Sequence, residues 1–282
     1  MVQDSSQSTT PAPDAILEDL RRLGKNVNGY LGETIDIEST LTQLEAAATT
    51  FGWNSEVFLT VQNLKLVAFK RISPHPGPRV YISAGIHGDE PAGPLALLQL
   101  LNENRWPDKF SLWLCPCLNP IGFALNRREN LDGTDLNREY LRPKAAEIVA
   151  HVEWLERQPR FDLCLCLHED WEANGFYVYE LNPESQRSMA PIMIASLEGV
   201  CPIDTSEIIE GRPAQMGIIR PNGESLNRPQ WPEAFFLHSN KTRLSYTLEA
   251  PSDFPLKTRV AALASAVRAT LDSFVGGTGS AA

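Results

Sequence analysis

Apolar residues recur along the chain with two different spacings. Alternating or continuous apolar runs, which are typical of strands, lie at 57–72, 79–86, 112–118, 161–167, 176–179 and 243–248. Helical spacing lies at 15–23, 41–51, 93–101, 144–155, 184–200 and 255–274. The first strand segment contains Gln62-Asn63 and is therefore predicted to be a hairpin. Strands that alternate with helices indicate an α/β domain whose parallel or mixed sheet is covered on both faces.

The two ends of the chain lack this apolar pattern. Residues 1–13 are rich in Ser, Thr, Gln and Pro, and residues 276–282 read GGTGSAA. Such segments bury too little apolar surface to offset the entropy lost on ordering. We therefore expect flexible tails at 1–13 and 276–282 and a single domain over residues 14–275, because no repeat or long linker divides that stretch.

The composition excludes several classes of partner. The 282 residues carry 25 basic and 35 acidic side chains, a net charge of −10, whereas nucleic acid and anionic membranes favour a basic surface. The longest apolar stretches, such as 95–101, fall far short of the roughly 20 residues of a membrane-spanning helix. The first residues do not have the basic and then apolar order of a secretory signal. We expect a soluble cytoplasmic protein that binds neither nucleic acid nor a membrane.

Five cysteines fit this compartment, since an odd count is unusual for a secreted disulfide framework. Four of them form the pairs Cys115/Cys117 and Cys164/Cys166, each within an apolar run. A thiolate metal site is one interpretation of these pairs. Cysteine metal sites usually space their ligands by roughly two to four residues in loops, whereas free cysteines are commonly buried. The spacing therefore favours small core residues on strands.

Polar side chains follow the predicted strands at the points where the strands end. Ligands of α/β sheets bind beyond the carboxyl ends of the strands. Four strand ends deliver residues with metal-binding or catalytic chemistry toward one crevice: His87 with Glu90, Asn119, His168 and Glu249.

His87 and Glu90 belong to the segment GIHGDEPAG, whose glycines permit a tight turn between strand and helix. With His168 they form a set of two imidazoles and one carboxylate, which suits Zn²⁺ and leaves one position open. We predict one Zn²⁺ per chain on these residues, with Glu249 as the carboxylate that takes a proton from the attacking water. A solvated turn and a solvent-facing glutamate are the ordinary alternatives. The other histidines are interpreted as packing or surface residues: His75, His151 and His238.

The segment 119–140 is the densest group of polar residues in the chain. Guanidinium groups match carboxylates and oxyanions with two parallel hydrogen bonds. Five residues of this segment could clamp a substrate carboxylate and stabilise an oxyanion: Arg127, Arg128, Asn130, Asn137 and Arg138. A solvated loop with local salt bridges is the alternative.

These motifs, in this order, resemble the zinc carboxypeptidase family, which includes bacterial peptidoglycan-peptide amidases and is related to the aspartoacylase and succinylglutamate desuccinylase branch. The motifs are GIHGDEPAG, NP-x-G, R-x-N-x-x-G-x-DLNR, a histidine after an apolar strand, and TLE-x-P, and they span about residues 79–270. The resemblance implies a three-layer α/β/α sandwich around a mixed, largely parallel sheet of eight strands, with residues 14–275 as the catalytic domain.

The resemblance also implies roles for individual residues. The zinc ligands and the general base would be the four residues already named. Arg128 would polarise the scissile carbonyl and hold the oxyanion, while Asn137 and Arg138 would bind the terminal carboxylate of the substrate. Digestive members of the family place a tyrosine on a mobile loop before the catalytic glutamate, but the stretch 228–241 has no tyrosine here, so that role is unassigned.

The sequence leaves the roles of two further sets of residues open. Glu169 and Asp170 follow the second metal-binding histidine and could support the metal site, recognise a substrate amine or face solvent. The walls of the specificity pocket are expected from residues 204–228. The suggestive side chains there are Glu210, Arg212, Gln215 and Arg220.

The leading hypothesis is a zinc metallocarboxypeptidase that hydrolyses the amide next to the free carboxylate of small peptides. The alternative is an N-acyl amino acid amidohydrolase that uses the same zinc and arginines. A catalytically inactive zinc-binding module is the third hypothesis, and the presence of both histidines, both glutamates and the arginines argues against it.

Overall fold

The computed structural model describes residues 20–26, 33–221 and 227–275. The tails predicted at 1–13 and 276–282 lie outside the described residues, and so does most of the helix predicted at 15–23. The described part of that segment, residues 20–23, is not helical.

The described chain builds one sheet. Its strands are β1 Asn54–Val61, β2 Leu64–Arg71, β3 Arg79–Ala84, β4 Ser111–Cys115, β5 Leu163–Asp170, β6 Tyr177–Leu181, β7 Ile208–Ile209, β8 Arg212–Gln215, β9 Ile218–Ile219 and β10 Ser245–Pro251. They lie in the order β1-β2-β4-β3-β5-β10-β6-β9-β8-β7. The four central strands β4, β3, β5 and β10 are parallel. Toward both edges the pairing is antiparallel, except between β6 and β9.

Helices cover both faces of this sheet. They are α1 Ile37–Thr50, α2 Ala92–Glu103, α3 Pro120–Leu125, α4 Ala146–Glu156, α5 Ala190–Ala195, α6 Glu233–Asn240 and α7 Leu256–Ser273, with a short 3₁₀ turn at Leu136–Arg138. Helices α1, α2, α5 and α7 bury their apolar residues in one core, and α4 and α6 bury theirs in the core on the opposite face. The predicted α/β/α sandwich is therefore confirmed.

The apolar patterns explain why these elements form. The hairpin turns at Gln62 and Asn63, whose φ angles of 46° and 71° are those of a tight two-residue turn. Strand β5 is buried on both faces: its leucines enter one core, while Cys164 and Cys166 enter the other. All five cysteines are free and buried, which confirms them as core residues.

Several predicted boundaries were wrong. The helix predicted at 184–200 is limited to Ala190–Ala195, because the side chain of Asn182 bonds both backbone groups of Gln186 and closes a turn at the start of that segment. A helix, α6, occupies the stretch around His238, where the apolar pattern predicts no helix. It begins directly after Pro232, whose fixed φ suits a helix start.

The sheet has ten strands, not the eight that the resemblance implied. Strands β7, β8 and β9 are two to four residues long, which is too short for an apolar period to be visible in the sequence. Among the described residues, no helix combines the length and the apolar content that a membrane span requires.

Candidate active site

The carboxyl ends of three neighbouring parallel strands form the floor of the candidate site. His87 lies three residues beyond the end of β3, and His168 lies near the end of β5. Glu249 lies near the end of β10, where it is the register partner of His168. Parallel pairing continues as far as Pro251 and Asp170, so both functional side chains belong to the strands themselves.

The turn after β3 is shaped by a close approach of two backbones. A Cβ atom on Gly88 would lie 2.0 Å from the carbonyl carbon of Gly122 in α3, so only glycine fits between the metal-binding turn and that helix. The backbone N–H of Gly88 donates to the carbonyl oxygen of Arg128 at 3.4 Å. Asn119 donates from Nδ2 to the same oxygen at 3.2 Å. The turn and the arginine segment are thereby tied together.

His87, Glu90 and His168 converge at the bottom of the cleft. Glu90 Oε1 lies 2.5 Å from His87 Nδ1, and Glu90 Oε2 lies 2.9 Å from His168 Nδ1. One ligand atom from each of the three residues can be chosen so that all three atoms lie within 4.8 Å of one another. All three side chains are buried. Among the described residues, this is the group of His, Cys, Asp and Glu side chains that could hold a metal ion.

The donor set and its surroundings fit a zinc ion. The two Nδ1 atoms and the Glu90 carboxylate face each other, and two imidazoles with one carboxylate are a common catalytic zinc set. His87 Nε2 is buried without a well-aligned hydrogen bond, although Asp135 Oδ1 lies 3.3 Å from it. A carboxylate behind a metal-binding imidazole is the usual arrangement for holding the ring orientation.

The electrostatics of the group favour the charged carboxylate. Burial alone would raise the pKa of Glu90, but His87 and His168 outweigh it, and the pKa is well below its usual range. Burial likewise opposes protonation of His87, but Glu90 and Asp135 raise its pKa. The carboxylates of Glu90 and Asp135 thus favour a positive charge at this site, which a divalent cation would provide.

Glu249 lies in a different environment from Glu90. Its side chain is half-buried at the cleft, and desolvation raises the pKa of its carboxyl well above the usual range, with the charges of Glu90 and Asp170 adding to the effect. A carboxyl group with a raised pKa is suited to accept a proton and to donate it again. Its neighbours on β6, Tyr177 and Tyr179, share its face of the sheet.

A cleft of about 510 Å³ opens above these groups. Three residues of the segment 119–140 line it, namely Arg128, Asn137 and Arg138. Arg128 Nε donates to Asp135 Oδ2 at 3.0 Å, and Arg128 Nη1 lies 3.6 Å from Glu90 Oε1, so its guanidinium lies beside the metal-binding group. Asn137 Oδ1 accepts from the backbone N–H of Glu233 at 2.8 Å, which fixes the amide and leaves Nδ2 for a ligand.

The other polar residues of that segment serve the fold. Arg127 donates to the backbone carbonyls of Asn130 and Leu131, and Asn130 is buried and bonded to Glu147. Asn119 accepts from the N–H of Gly122 at 3.0 Å and caps α3. The expectation that Asn119, Arg127 and Asn130 face the crevice was wrong, because none of them lines the cleft and their side chains bond the loop and the start of α3 instead.

The polar residues predicted for the pocket walls, and the acidic pair after His168, also fall into two groups, those that line the cleft and those that bond other parts of the fold. Glu210 and Arg212 line the cleft, whereas Gln215 and Arg220 do not, and Arg220 Nε bonds Glu180 Oε2 at 2.7 Å. Glu169 accepts from the N–H of Ala92 and pairs with the buried Arg259. Asp170 lines the cleft and accepts from the hydroxyl of Tyr177 at 3.0 Å.

The histidines outside the site have structural partners or exposed positions. His151 is fully buried between the hydroxyls of Tyr81 and Tyr140, at 2.9 Å and 2.7 Å, and burial lowers its pKa to about 3. His75 is exposed, and His238 is buried in α6.

Sequence reasoning missed several residues that line the cleft or support it: Asp89, Asp135, Tyr177, Tyr179 and Phe235. Asp135 was within reach, because it precedes Arg138 in DLNR and an acid beside a metal-binding histidine is common. Asp89 lies between two metal-binding residues, and burial together with Glu90 raises its pKa to about 6. No sequence pattern indicated that Tyr177 and Tyr179 line the cleft, because the sheet face on which they lie depends on how β6 pairs with β10.

Comparisons with known proteins agree with this geometry. A sequence profile of the succinylglutamate desuccinylase/aspartoacylase catalytic domain matches residues 76–199, which include His87, Glu90 and His168 but not Glu249. Carboxypeptidase SOL1 of Arabidopsis thaliana is 29% identical over 170 residues, which are 53% of this chain and 28% of that protein. The chain thus spans well under half the length of this relative.

Solved structures extend the similarity over most of the chain. A candidate metallopeptidase of Shewanella amazonensis is 26% identical with a TM-score of 0.74, over 85% of this chain and 94% of that chain. A metallo-carboxypeptidase of Burkholderia cenocepacia shares the fold at 18% identity, with a TM-score of 0.66 over 86% of this chain and 69% of that chain. These similarities support a zinc carboxypeptidase-like family for this chain.

Proposed function

We propose that this protein is a zinc-dependent metallocarboxypeptidase that hydrolyses the amide bond next to the C-terminal carboxylate of small peptides. The observation that carries the proposal is the meeting of a buried His-Glu-His group, the neighbouring Glu249 and the side chains of Arg128, Asn137 and Arg138 in one cleft. A Zn²⁺ ion held by His87, Glu90 and His168 would polarise the carbonyl and lower the pKa of water.

The side chains of this chain supply the remaining chemistry. Amide hydrolysis forms a bond from water oxygen to the carbonyl carbon and breaks the bond from that carbon to nitrogen. Glu249 takes a proton from the water on its carboxylate and returns it to the leaving nitrogen, as its raised pKa allows. Arg128 donates hydrogen bonds to the oxyanion that develops on the carbonyl oxygen.

Substrate orientation follows from the other wall of the cleft. Arg138 and the Nδ2 group of Asn137 bind the free carboxylate of the substrate and set the distance of the scissile amide from Glu249. Asp135 holds Arg128 and lies behind His87, so one carboxylate orients both a metal-binding ring and the group that stabilises the oxyanion.

The match to the succinylglutamate desuccinylase/aspartoacylase catalytic domain favours a second candidate, an N-acyl amino acid amidohydrolase. The same zinc ligands, base and arginines would serve that reaction. The two candidates differ in the acyl side of the scissile amide, which is a peptide in one and a small acyl group in the other.

Hydrolysis of a matched substrate panel by the zinc-loaded protein tests the proposal. The panel contains short peptides, the same peptides as C-terminal amides, and N-acyl amino acids, with products followed by mass spectrometry. We expect release of the last residue from the free-acid peptides, at least about tenfold faster than from the amides, because a charge-assisted hydrogen bond is lost. Cleavage of N-acyl amino acids alone would establish the second candidate and overturn the first.

Metal content provides the accompanying control. We expect one zinc per chain by elemental analysis, loss of hydrolysis on chelation and recovery when Zn²⁺ is restored. A His168→Ala variant should lose both the metal and the activity, because it removes one of the three ligands. Undiminished zinc in that variant would contradict the assigned site.

A further inference from the structure

Two arginines of the cleft wall are not needed for the proposed reaction. Arg212 and Arg228 both line the cleft, and among the described residues neither forms an ion pair with a carboxylate. Unpaired cations at a partly buried wall are costly, since desolvation and mutual repulsion are not compensated. Their guanidinium groups are therefore open to an anionic group of a ligand, although Glu210 of the same cleft is close enough for Arg212 to lower the pKa of its carboxyl.

The sheet register places Arg212 on the catalytic face. Ala214 of β8 pairs with Ile219 of β9, which pairs with Tyr179 of β6, which in turn pairs with Thr247 of β10. Directly paired residues leave a sheet on the same side, and residues two apart in one strand also share a side. Arg212 therefore lies on the same face as Thr247 and, two residues farther along β10, Glu249.

The neighbouring polar residues of the same hairpin lie on the other face. Gln215 is one position after Ala214, and Arg220 is one position after Ile219, so both alternate to the side opposite Arg212. Arg220 is paired with Glu180 there. The two arginines of the hairpin therefore lie on opposite faces: Arg220 pairs with the buried Glu180, and Arg212 lines the cleft.

Arg228 completes the cationic wall from the segment before α6. Its guanidinium lies 5.4 Å from the centre of the Phe235 ring, and this contact holds it at the cleft. Burial and the charges of Arg138 and Arg212 lower the pKa of Arg228, which means that the three guanidinium groups act on one another. Glu210 also lines the cleft but makes no ion pair with either arginine within the described residues.

We propose that Arg212 and Arg228 bind a second carboxylate, carried by the side chain of the residue that is released, so that the enzyme prefers substrates ending in an acidic residue. This inference rests on the proposed function, in which Arg138 and Asn137 bind the main-chain carboxylate. Two guanidinium groups offer the paired donors that a carboxylate accepts, and a neutral amide of the same size cannot balance their charge.

Substrate pairs that differ only in that charge test the inference. Peptides ending in glutamate are compared with peptides ending in glutamine, and aspartate with asparagine. We expect kcat/KM to favour the acidic member by about tenfold or more, and the Arg212→Gln and Arg228→Gln variants to reduce this ratio to near one. Equal rates for the paired substrates in the unmodified enzyme would overturn the inference.

The matched control removes an arginine outside the cleft. Arg243 precedes β10, at the end of the strand away from Glu249, and forms an exposed ion pair with Glu184. Arg243→Gln lowers the net charge by the same amount and should leave the ratio intact. A loss of the ratio in this variant too would show a general charge effect and overturn the assignment to Arg212 and Arg228.

A binding measurement separates this inference from the proposed reaction. Free glutamate and glutamine are titrated into the zinc-loaded protein, which requires no turnover. We expect glutamate to bind about tenfold more tightly, and the difference to vanish in Arg212→Gln. If no peptide is hydrolysed but this difference holds, the reaction is wrong and the inference stands; equal binding of the two overturns the inference.

Discussion

His168 and Glu249 are direct register partners on the adjacent parallel strands β5 and β10. Their side chains leave the sheet on the same face, so the predicted metal ligand and the predicted proton acceptor lie side by side. Both strands are buried in the centre of the sheet. The spacing between these two functions is therefore set by backbone hydrogen bonds between strands, not by a mobile loop.

Glu249→Gln should abolish most of the hydrolysis and leave the metal in place. The amide keeps the size of the side chain but cannot accept the proton, and general acid–base steps contribute about 10²–10⁴-fold. We expect kcat to fall by that amount, with zinc content unchanged by elemental analysis. Glu198→Gln, at an exposed position, is the matched control. Retained activity in the Glu249 variant would show that another group takes the proton.

Asp135→Asn should weaken zinc binding although Asp135 is not predicted to be a ligand. Its carboxylate lies 3.3 Å from His87 Nε2 and accepts from Arg128 Nε at 3.0 Å. Removing a carboxylate behind a metal-binding histidine typically costs about 10–100-fold in affinity. The measurement is competition with a zinc chelator, with Asp132→Asn on the exposed part of the same loop as control. Equal affinities in both variants would contradict this role.

Gly88→Ala should disrupt the metal-binding turn by steric overlap. The added Cβ would lie 2.0 Å from the backbone of Gly122, so either the turn or α3 must move. Overpacking of this kind costs about 1–3 kcal/mol or more. We expect a lower unfolding midpoint together with weaker zinc binding. Gly133→Ala, where nothing lies within 4 Å of the new Cβ, should cost only the strain of its positive φ and should keep the zinc.

Glu233 should make stability depend on pH. It is buried in α6, where it accepts from Tyr81 and Ser83, and burial raises its pKa above the usual value of about 4.3. The folded state then favours the protonated form, so the contribution of Glu233 is fully present below the unfolded pKa and is lost as pH rises through the folded pKa.

Urea unfolding of the wild type and of Glu233→Gln, at pH values from below the unfolded pKa to above the folded pKa of Glu233, measures this contribution to the free energy of unfolding. Glutamine resembles the neutral acid, so the variant should gain stability relative to the wild type as pH rises. The difference between the two proteins isolates Glu233, because the other carboxyl groups titrate in both. A difference that does not change with pH would show that Glu233 has no shifted pKa.

Local patterns in the sequence were sufficient for most of the architecture. The turn at Gln62 and Asn63, the strand before His87 and the long helix α7 follow from residue spacing and turn chemistry, which act over a few residues. The helix predicted at 184–200 failed because the side chain of Asn182 closes a competing turn. The short strands β7 to β9 exist only because β6 offers an edge on which they pair.

The candidate site also contains residues that the sequence predicted and residues that only the structure revealed. The sequence alone predicted the His-Glu-His set that the structure brings together, because two histidines and a glutamate at strand ends carry chemistry that few other patterns share. Residue chemistry did not separate Arg128 and Arg138, which line the cleft, from Arg127, which closes the loop; only the family resemblance gave roles to the first two. The tertiary structure shows which of these arginines line the cleft, and it alone brought Asp135 and Tyr179 to the site. The physical reason is that the face and partners of such side chains depend on contacts between segments far apart in the chain, which residue spacing does not encode.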